Sequence, residues 1–433
     1  MIGYPGRRKV GRGRVKEEAR KQLEFVAEDV LRHFDAGTVR LEPEIGSVES
    51  SVYTDPERFD REREHIFRNL PLMLAMSCEL EGPGSYKALQ VAGTPVLIVR
   101  GKDGTARAFL NACSHRGAIL DEDCGKAARF TCPYHGWTFG REGELLGVAY
   151  SKIFGEADRG SLGLKPFPTF ERAGMIWVIL NEHSKLDVSA FLQGYDDMLE
   201  GFGFENWRMI SRRVLNGPNW KLCFDAHLEF YHIPVLHKDS FGSIDPRTLY
   251  YNYGPHQRLA RPSEGRNGPD NVDIFQMRDR ASEDLPDESL MFGEWIMFPN
   301  VSINTFYAGG RGVIVSQVIP GETVDQSETI QLFLLADEPD VAGRNEAAQT
   351  ADFLAKVVGE EDLPTSLGQQ TVMRSGAMDR ILFGRNEGGL QQFHSWVERI
   401  VSTPFDDLPS LFASARGVGD KAAMFREPES VPG

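Results

Sequence analysis

Apolar residues near the start of the chain recur at the spacing of a helix. A stripe of apolar residues with a period close to 3.6 is formed by Leu23, Val26, Ala27, Val30, Leu31 and Phe34. Phe25 lies off this stripe. This pattern predicts an amphipathic helix over residues 15–35. A stretch rich in charged residues predicts a second helix over residues 56–69.

The pattern changes between residues 80 and 180, where short apolar runs are separated by Gly and Pro. Runs at residues 95–100, 106–111 and 175–180 are rich in β-branched and aromatic residues and have the length of strands. They predict a small all-β module.

Helical and strand patterns mix from about residue 184 onward. The runs 297–306 and 312–318 predict adjacent antiparallel strands, and the run 329–335 continues the sheet. Gly, Pro, Asp and Arg are frequent at residues 237–291, which we expect to form a mobile lid or binding loop. Arg258 and Arg261 on this loop are candidates for pairing with a substrate carboxylate, although exposure to solvent is the favoured interpretation.

Composition narrows the class of protein. With 433 residues, 41% of them hydrophobic, the chain is long enough for two or three domains. A net charge of −15 argues against nucleic acid as a partner. No apolar run approaches the roughly 20 residues of a membrane helix, and no signal-peptide core is apparent. We therefore expect no membrane contact. The five cysteines lack the spacing of a secreted scaffold, so we also expect a cytoplasmic protein.

Two short motifs place cysteine beside histidine. Cys113-x-His115 is followed, after 16 residues, by Cys132-x2-His135. In a Rieske [2Fe-2S] cluster two cysteines hold one iron and two histidines hold the other. A structural zinc site uses the same ligand types, but zinc fingers usually pair Cys with Cys and His with His. A glycine close behind each histidine favours a tight loop that brings backbone N–H groups against sulfide. The motifs therefore predict a Rieske cluster that transfers electrons.

A further histidine pair lies farther along the chain. Its surroundings predict a helix that begins after Pro218 and ends near Pro234. On an unbroken helix His232 and His237 would point about 140° apart. Because Pro234 disfavours helix at Ile233, the chain is expected to turn there and bring the histidines together. A distant carboxylate would complete the 2-His-1-carboxylate triad of non-heme Fe(II) oxygenases.

The two groups of motifs together resemble the Rieske non-heme iron oxygenases, and specifically the large (α) terminal-oxygenase subunit of the aromatic-ring-hydroxylating dioxygenase family. The resemblance rests on Cys113-x-His115-Arg-Gly, Cys132-Pro-Tyr-His135-Gly-Trp, Asn219-Trp-Lys, Glu229-x2-His232-x4-His237, Leu382-Phe-Gly-Arg-Asn-Glu387 and Gln392-Phe-His-Ser-Trp396. It extends over nearly all of residues 52–400.

The resemblance implies an α+β fold. Residues 48–184 would form an all-β Rieske [2Fe-2S] domain, and residues 185–433 a catalytic mononuclear non-heme iron domain with an antiparallel helix-grip (START/Bet v1-like) sheet. Residues 1–47 would be an N-terminal helical arm that packs on the catalytic domain. The assembly would be a head-to-tail homotrimer (α3), or α3β3 if a small β subunit is present, with each cluster near the iron of a neighbouring subunit.

The resemblance also assigns site residues. Cys113, His115, Cys132 and His135 would bind the [2Fe-2S] cluster. His232, His237 and Asp362 would bind mononuclear Fe(II), with Glu361 and Glu360 as alternatives to Asp362 because all three lie in one acidic run.

Glu229, three positions before the first iron histidine, would be the catalytic bridging acid of the family. It would hydrogen-bond His232 in its own chain and the partner subunit's His135. The spacing of Asp225, Glu229 and His232 favours one helical face. Asp225 stands where the family often has Asn, which makes its role there an open question.

The activity implied is that of a terminal oxygenase that uses O2 to cis-dihydroxylate a small aromatic substrate. The alternatives are a Rieske monooxygenase that performs monohydroxylation or N- or O-demethylation, an electron-transfer protein without oxygenase activity, and a zinc-stabilised binding module. Because no Gly-x-Gly-x-x-Gly motif follows a strand, the electrons should come from an NAD(P)H-dependent reductase, with or without a ferredoxin.

Overall fold

The computed structural model describes residues 15–155, 158–261, 278, 285–336, 340–415 and 429–430. Its α-helices are α1 (Glu17–Ala36), α2 (Ser51–Thr54), α3 (Pro56–Glu62), α4 (Ser151–Phe154), α5 (Val188–Leu192), α6 (Tyr195–Leu199), α7 (Trp220–Asp225), α8 (Ile233–Leu236), α9 (Lys238–Phe241), α10 (Val341–Val357), α11 (Leu363–Arg374), α12 (Gly388–Ser402) and α13 (Leu408–Ala415). Single π-helical turns, Arg63–Phe67 and Val358–Asp362, extend α3 and α10. Across these described ranges, no helix is long and apolar enough to cross a membrane.

The strands are β1 (Thr38–Val39), β2 (Gly46–Glu49), β3 (Leu72–Met76), β4 (Ser85–Val91), β5 (Thr94–Arg100), β6 (Ala106–Leu110), β7 (Cys124–Lys126), β8 (Phe130–Thr131), β9 (Thr138–Phe139), β10 (Leu145–Gly147), β11 (Pro166–Phe167), β12 (Thr169–Arg172), β13 (Met175–Val178), β14 (Arg208–Gly217), β15 (Leu249–Tyr253), β16 (His256–Ala260), β17 (Glu294–Met297), β18 (Val301–Tyr307), β19 (Arg311–Pro320), β20 (Ser327–Leu335), β21 (Arg380–Phe383) and β22 (Glu429–Ser430).

Helix α1 has the position that the apolar stripe predicts. Gly37 follows its last residue and caps it, with a φ of 64° that suits a residue without a side chain. Its buried face packs beside the large sheet of the second half of the chain. Asp29 accepts a hydrogen bond from the Tyr251 hydroxyl (2.8 Å) and forms an ion pair with Arg40. Because strand β15 contributes Tyr251, the helix is fixed to that sheet.

Three small sheets form the all-β module that the short apolar runs predict. Their strand orders are β11-β6-β5-β4-β7, β10-β9-β8 and β12-β13-β3. One hydrophobic cluster lies entirely within the module and includes Leu97, Val99, Phe109, Phe130, Phe139, Cys113 and Cys132. Since the two cysteines belong to this cluster, the core itself fixes the position of the loops that carry them.

A seven-stranded antiparallel sheet, with the order β14-β20-β19-β18-β17-β16-β15, dominates the second half of the chain. The mixture of helices with antiparallel sheets confirms the predicted α+β class. One face of this sheet, here called the site face, carries the register partners Gln257, Ile296, Ser302, Ser316 and Gln331.

Both faces of the large sheet are covered. On the site face, Gln257 Nε2 donates to Gly389 O at the start of α12 (3.1 Å). On the opposite face, Gln317 Nε2 donates to Met73 O in strand β3 (2.7 Å). The sheet therefore lies between α12 and the all-β module, which places both halves of the chain around one core.

The expectation of an irregular loop over residues 237–291 is wrong for its middle part. Residues 249–253 and 256–260 form strands β15 and β16, which pair as a hairpin at one edge of the large sheet. Leu249, Tyr251 and Tyr253 are buried at alternate positions, as a strand requires. The proposed lid at residues 262–277 and 279–284 lies outside the described residues.

Two buried histidines should make the stability of the fold depend on pH. Burial lowers the pKa of His33 and of His256 to about 4, from about 6.5 in an unfolded chain. The Phe298 N–H donates to His256 Nδ1 (3.2 Å), and His256 Nε2 lies 3.0 Å from Phe191 O. The neutral ring satisfies both contacts, whereas a proton on Nδ1 would face another donor.

Between pH 6.5 and 4 the unfolded chain binds more protons than the folded chain. The free energy of unfolding should therefore decrease as the pH is lowered through this range. We expect a loss of about 2 kcal/mol for each buried histidine between pH 7 and pH 5. Chemical unfolding at both pH values tests this. His256→Gln should remove part of the difference in unfolding free energy between the two pH values. The matched control, His183→Gln at an exposed histidine, should retain that difference. Equal stability of the unmodified protein at pH 7 and pH 5 would contradict the prediction.

Candidate metal centres

Cys113 and Cys132 each begin a turn that a glycine closes four residues later. Gly117 N donates to Cys113 O (2.8 Å), and Gly136 N donates to Cys132 O (3.0 Å). The two glycines have φ angles of 75° and 70°, in the region where a side chain is unfavourable. The two turns therefore present the cysteines and the intervening histidines from similar loops.

The histidines of the two loops lie side by side. The ring centroids of His115 and His135 are 4.6 Å apart. Trp137 stacks on His115 at 4.9 Å, with the ring planes only 7° apart. His115 Nδ1 is buried and has no hydrogen-bond partner among the described residues. Buried polar atoms are usually paired, so an unpaired imidazole nitrogen at this position fits a metal ligand.

The two cysteines are free thiols and lie close enough to influence each other's ionisation. Burial raises the pKa of Cys132, but the backbone N–H groups of His135 and Tyr134 outweigh burial and lower it. A thiolate is the form that binds iron. The loop of Cys132 therefore favours its thiolate, whereas burial raises the pKa of Cys113.

The helix predicted from Pro218 to Pro234 is shorter than expected. Helix α7 ends at Asp225. The Phe230 N–H bonds to Thr248 Oγ1 (3.3 Å) instead of continuing a helical ladder. Pro234 lies in the first turn of α8, where the missing N–H costs nothing. The expectation that Pro234 prevents helix at Ile233 is therefore wrong.

The short helix α8 brings the second histidine pair together. His232 and His237 are its flanking residues, and their ring centroids are 5.1 Å apart. Because α7 ends at Asp225, the prediction that Asp225, Glu229 and His232 share one helical face is also wrong. The histidines converge through one helical turn, not through a break in a helix.

Asp362 completes a group of three ligands. One ligand atom each from His232, His237 and Asp362 lies within 4.8 Å of the others. Asp362 Oδ1 is 3.1 Å from His237 Nε2 and 3.9 Å from His232 Nε2. This oxygen is buried and accepts no hydrogen bond within the described residues. A buried carboxylate oxygen that faces two imidazole nitrogens fits a divalent metal site.

Two further carboxylates orient the histidines. Glu229 Oε1 contacts His232 Nδ1, and its other oxygen accepts from the His232 N–H (3.0 Å). Glu361 Oε2 is 2.6 Å from His237 Nδ1. Both Nε2 atoms are thus left to face Asp362, which is the arrangement of a carboxylate–histidine–metal site.

The carboxylates also act on the acidity of the histidines. Burial alone would lower the pKa of His232 and His237, but Glu229 raises the first, and Asp362 and Glu361 raise the second. Without a cation between them, the three ligands therefore favour protonated imidazoles, because the site is rich in negative charge.

The alternatives to Asp362 have other contacts. Glu361 is occupied by His237 Nδ1 and by the Ser240 hydroxyl. Glu360 lies near Lys356 (3.7 Å), and its side chain is 66% exposed. The orienting role of Glu361 was not predicted, because a contact between residues 124 positions apart leaves no local sequence signal.

Asp225 lies in a separate polar cluster. It accepts a hydrogen bond from the Tyr53 hydroxyl (2.7 Å) and lies 3.0 Å from His394 Nε2. Burial and Asp225 raise the pKa of Tyr53 well above its usual value. Asp225 therefore connects α7 to α2 and α12, and its contacts are structural.

Two protein-family models match the chain. The model described as "Rieske [2Fe-2S] domain" matches residues 71–154. The model described as "Ring hydroxylating alpha subunit (catalytic domain)" matches residues 204–403. The first range contains all four cysteine and histidine residues of the cluster motifs, and the second contains His232, His237 and Asp362.

Similar proteins include oxygenase subunits of two kinds. The chain is 33% identical over 200 residues to the glycine betaine monooxygenase oxygenase subunit of Chromohalobacter salexigens, which covers 46% of this chain but only 44% of that protein. It is 26% identical over 383 residues to the 2-aminobenzenesulfonate 2,3-dioxygenase subunit alpha of an Alcaligenes species, covering 82% of this chain and 93% of that protein. The chain thus aligns with less than half the length of the betaine relative.

A solved structure agrees with the fold. The apo form of a quaternary ammonium Rieske monooxygenase matches with a TM-score of 0.68 and 22% identity, covering 83% of this chain and 97% of that one. At this level of identity the likeness supports the same arrangement of an all-β module and a large antiparallel sheet.

Proposed function

Because this chain belongs to the Rieske non-heme iron oxygenases, of the kind that serve as α or oxygenase subunits, we propose that it is a terminal oxygenase. It would insert oxygen from O2 into a small organic substrate. The observation that carries the proposal is the convergence of His232, His237 and Asp362 in a chain that also has the Rieske motifs. A pure electron-transfer protein would not need the second site.

The residues fit both cofactors of the family. Cys113, His115, Cys132 and His135 would hold the [2Fe-2S] cluster, and the buried, unpaired His115 Nδ1 supports this assignment. His232, His237 and Asp362 would hold mononuclear Fe(II). When bound, these two groups supply single electrons and a site for O2 activation.

The chain's own residues prepare this site. Glu229 and Glu361 hold the Nδ1 side of the two histidines, so the rings keep one orientation and present Nε2. Ser240 holds the far oxygen of Glu361, which fixes that carboxylate in turn. With three protein ligands, a bound ferrous ion would keep coordination positions free for O2.

Within this class, we favour monooxygenation of an N-methyl or quaternary ammonium compound over cis-dihydroxylation of an aromatic ring. The betaine relative, at 33% identity, is the more similar in sequence of the two oxygenase subunits. The ring dioxygenase is less similar but aligns over 82% of this chain, so ring oxidation is the second candidate.

The proposed partners follow from the class. An NAD(P)H-dependent reductase, with or without a ferredoxin, would deliver electrons. A homotrimer would place Glu229 between His232 of its own chain and the partner subunit's His135. A small β subunit would change the assembly to α3β3.

Single turnover under isotopically labelled O2 tests the proposal. The reduced holoenzyme would be mixed separately with glycine betaine, choline and naphthalene, and the products analysed by mass spectrometry. N-demethylated product formed together with one equivalent of formaldehyde supports the favoured activity; the amount of formaldehyde is the readout, because its oxygen exchanges with water. A diol with two labelled oxygens would identify the second candidate, and neither product from any substrate would count against both.

A further inference from the structure

Arg258 and Arg261 lie close together in sequence but differ in their contacts. Arg258 is fully buried between Phe292 and Trp295. Its guanidinium donates to Leu290 O (2.5 Å) and to Phe292 O (2.8 Å). The expected exposure of Arg258 to solvent is therefore wrong. Its Nε and Nη2 donate to backbone carbonyls, while its buried Nη1 has no partner among the described residues.

Arg261 has no comparable partners. It is largely covered, and its guanidinium lies 5.3 Å from the centre of the Phe230 ring. Phe230 follows Glu229 directly and so belongs to the segment that carries the iron ligands. Within the described part of the chain, Arg261 makes no hydrogen bond and no ion pair. No nitrogen of Arg261 is among the fully buried polar atoms that lack a partner, so the guanidinium remains accessible to solvent or to a ligand.

The side chain of Arg261 belongs to the side of the sheet that faces the iron segment. Arg261 lies one residue beyond the end of β16 at Ala260, and its contact with Phe230 is what places it on this side. Leu259, near the end of β16, pairs in register with Glu294. Glu294 lies on the site face because it is two residues from Ile296. His227, from the iron segment, contacts Glu294 Oε1 (3.2 Å).

The nearby carboxylates are already engaged. Glu294 accepts hydrogen bonds from Ser302 and Asn304 as well as contacting His227. Asp245 is held by Arg247 through two of its donors. Burial lowers the pKa of Arg261, while the charges of Asp245 and Glu294 oppose that shift, and neither carboxylate forms a direct ion pair with it. An arginine guanidinium nevertheless stays charged at neutral pH, so it is available to an anion.

We propose that Arg261 binds a carboxylate group of the substrate, so that this oxygenase selects organic acids over their uncharged or purely cationic analogues. The inference rests on the proposed oxygenase function and names its substrate class. A planar guanidinium can donate two parallel hydrogen bonds to a carboxylate. The Phe230 ring lies 5.3 Å from the guanidinium carbon, and no N–H group of Arg261 has a hydrogen-bond partner among the described residues. A betaine bound in this way would have its N-methyl groups directed away from Arg261.

Binding to the anaerobic holoenzyme tests this role separately from catalysis. Two pairs of compounds differ in the carboxylate: glycine betaine with choline, and benzoate with benzyl alcohol. Dissociation constants would be measured by calorimetry for the unmodified protein, Arg261→Gln and Arg261→Lys. The matched control is Arg212→Gln, which removes an exposed arginine from edge strand β14 of the same sheet. The absorption spectrum of the cluster reports whether each variant is intact.

We expect the unmodified protein to prefer the acid in at least one pair and Arg261→Gln to weaken that acid about 10- to 100-fold, with little change for its partner. Arg261→Lys should retain part of the preference, because it keeps the charge but not the planar fork. No preference for either acid, or the same loss in Arg212→Gln, would overturn the proposal. Acid binding without N-demethylated or oxygenated product would instead count against the oxygenase activity alone.

Discussion

Replacing Asp362 with alanine is expected to empty the mononuclear iron site while the Rieske cluster remains. Asp362 Oδ1 is the only anionic ligand among the three converging atoms, and its loss leaves two neutral imidazoles for a divalent ion. Iron affinity should fall by more than the roughly 10- to 100-fold cost of losing an orienting partner. The ratio of iron to acid-labile sulfide should therefore drop from about 3:2 to about 1:1. Product formation should be lost with it.

Glu361→Gln provides the matched comparison. Glu361 is the neighbouring carboxylate and contacts the other side of His237. If Asp362 is the ligand and Glu361 only orients the ring, Glu361→Gln should keep much of its iron and lose about 10- to 100-fold in affinity. The opposite result, with iron retained in Asp362→Ala and lost in Glu361→Gln, would make Glu361 the ligand.

The Rieske motifs were readable from the sequence because their chemistry is local. Each cysteine and its histidine lie within three residues of each other, and a glycine with positive φ closes each turn. Such short loops have few alternative geometries, so spacing nearly determines the side-chain arrangement. The all-β module was predictable for a similar reason, since apolar runs in short strands bury their side chains in one core.

The environment of the second site was less predictable. The positions of Pro218 and Pro234 suggested one helix between them, but α7 ends at Asp225, and farther along the chain the Phe230 N–H bonds to Thr248 Oγ1. Tertiary contacts override local propensity in this way whenever a partner from a distant segment is available. The contact between Glu361 and His237 depends on the same kind of long-range packing.

The segment containing strands β15 and β16 shows a further limit. Its Gly, Pro and charged residues suggested a loop, yet Arg258 is fully buried. Arginine can be buried in a strand when aromatic faces and backbone carbonyls surround its guanidinium. Sequence patterns assign such a residue to the surface, because they register its charge and not its neighbours.

Glu229→Gln is expected to retain both metals but to lose turnover. In one chain, Glu229 only orients His232, and that role alone should cost about 10- to 100-fold in iron affinity at most. If Glu229 also contacts the partner subunit's His135, it forms part of the connection between the two metal centres. The amide keeps one acceptor but replaces the other with a donor, so it cannot accept from both histidines.

The decisive measurement is the oxidation of the reduced cluster after O2 and substrate are added in a single turnover. Glu361→Gln is again the control, because Glu361 orients His237 much as Glu229 orients His232 but has no proposed contact across the subunit interface. A bridging role predicts that cluster oxidation slows far more in Glu229→Gln than in Glu361→Gln at equal iron content. Equal slowing in the two variants would indicate that Glu229 only orients His232 and does not connect the two metal centres. The comparison therefore separates a contact within the chain, which the structure contains, from the proposed contact between subunits.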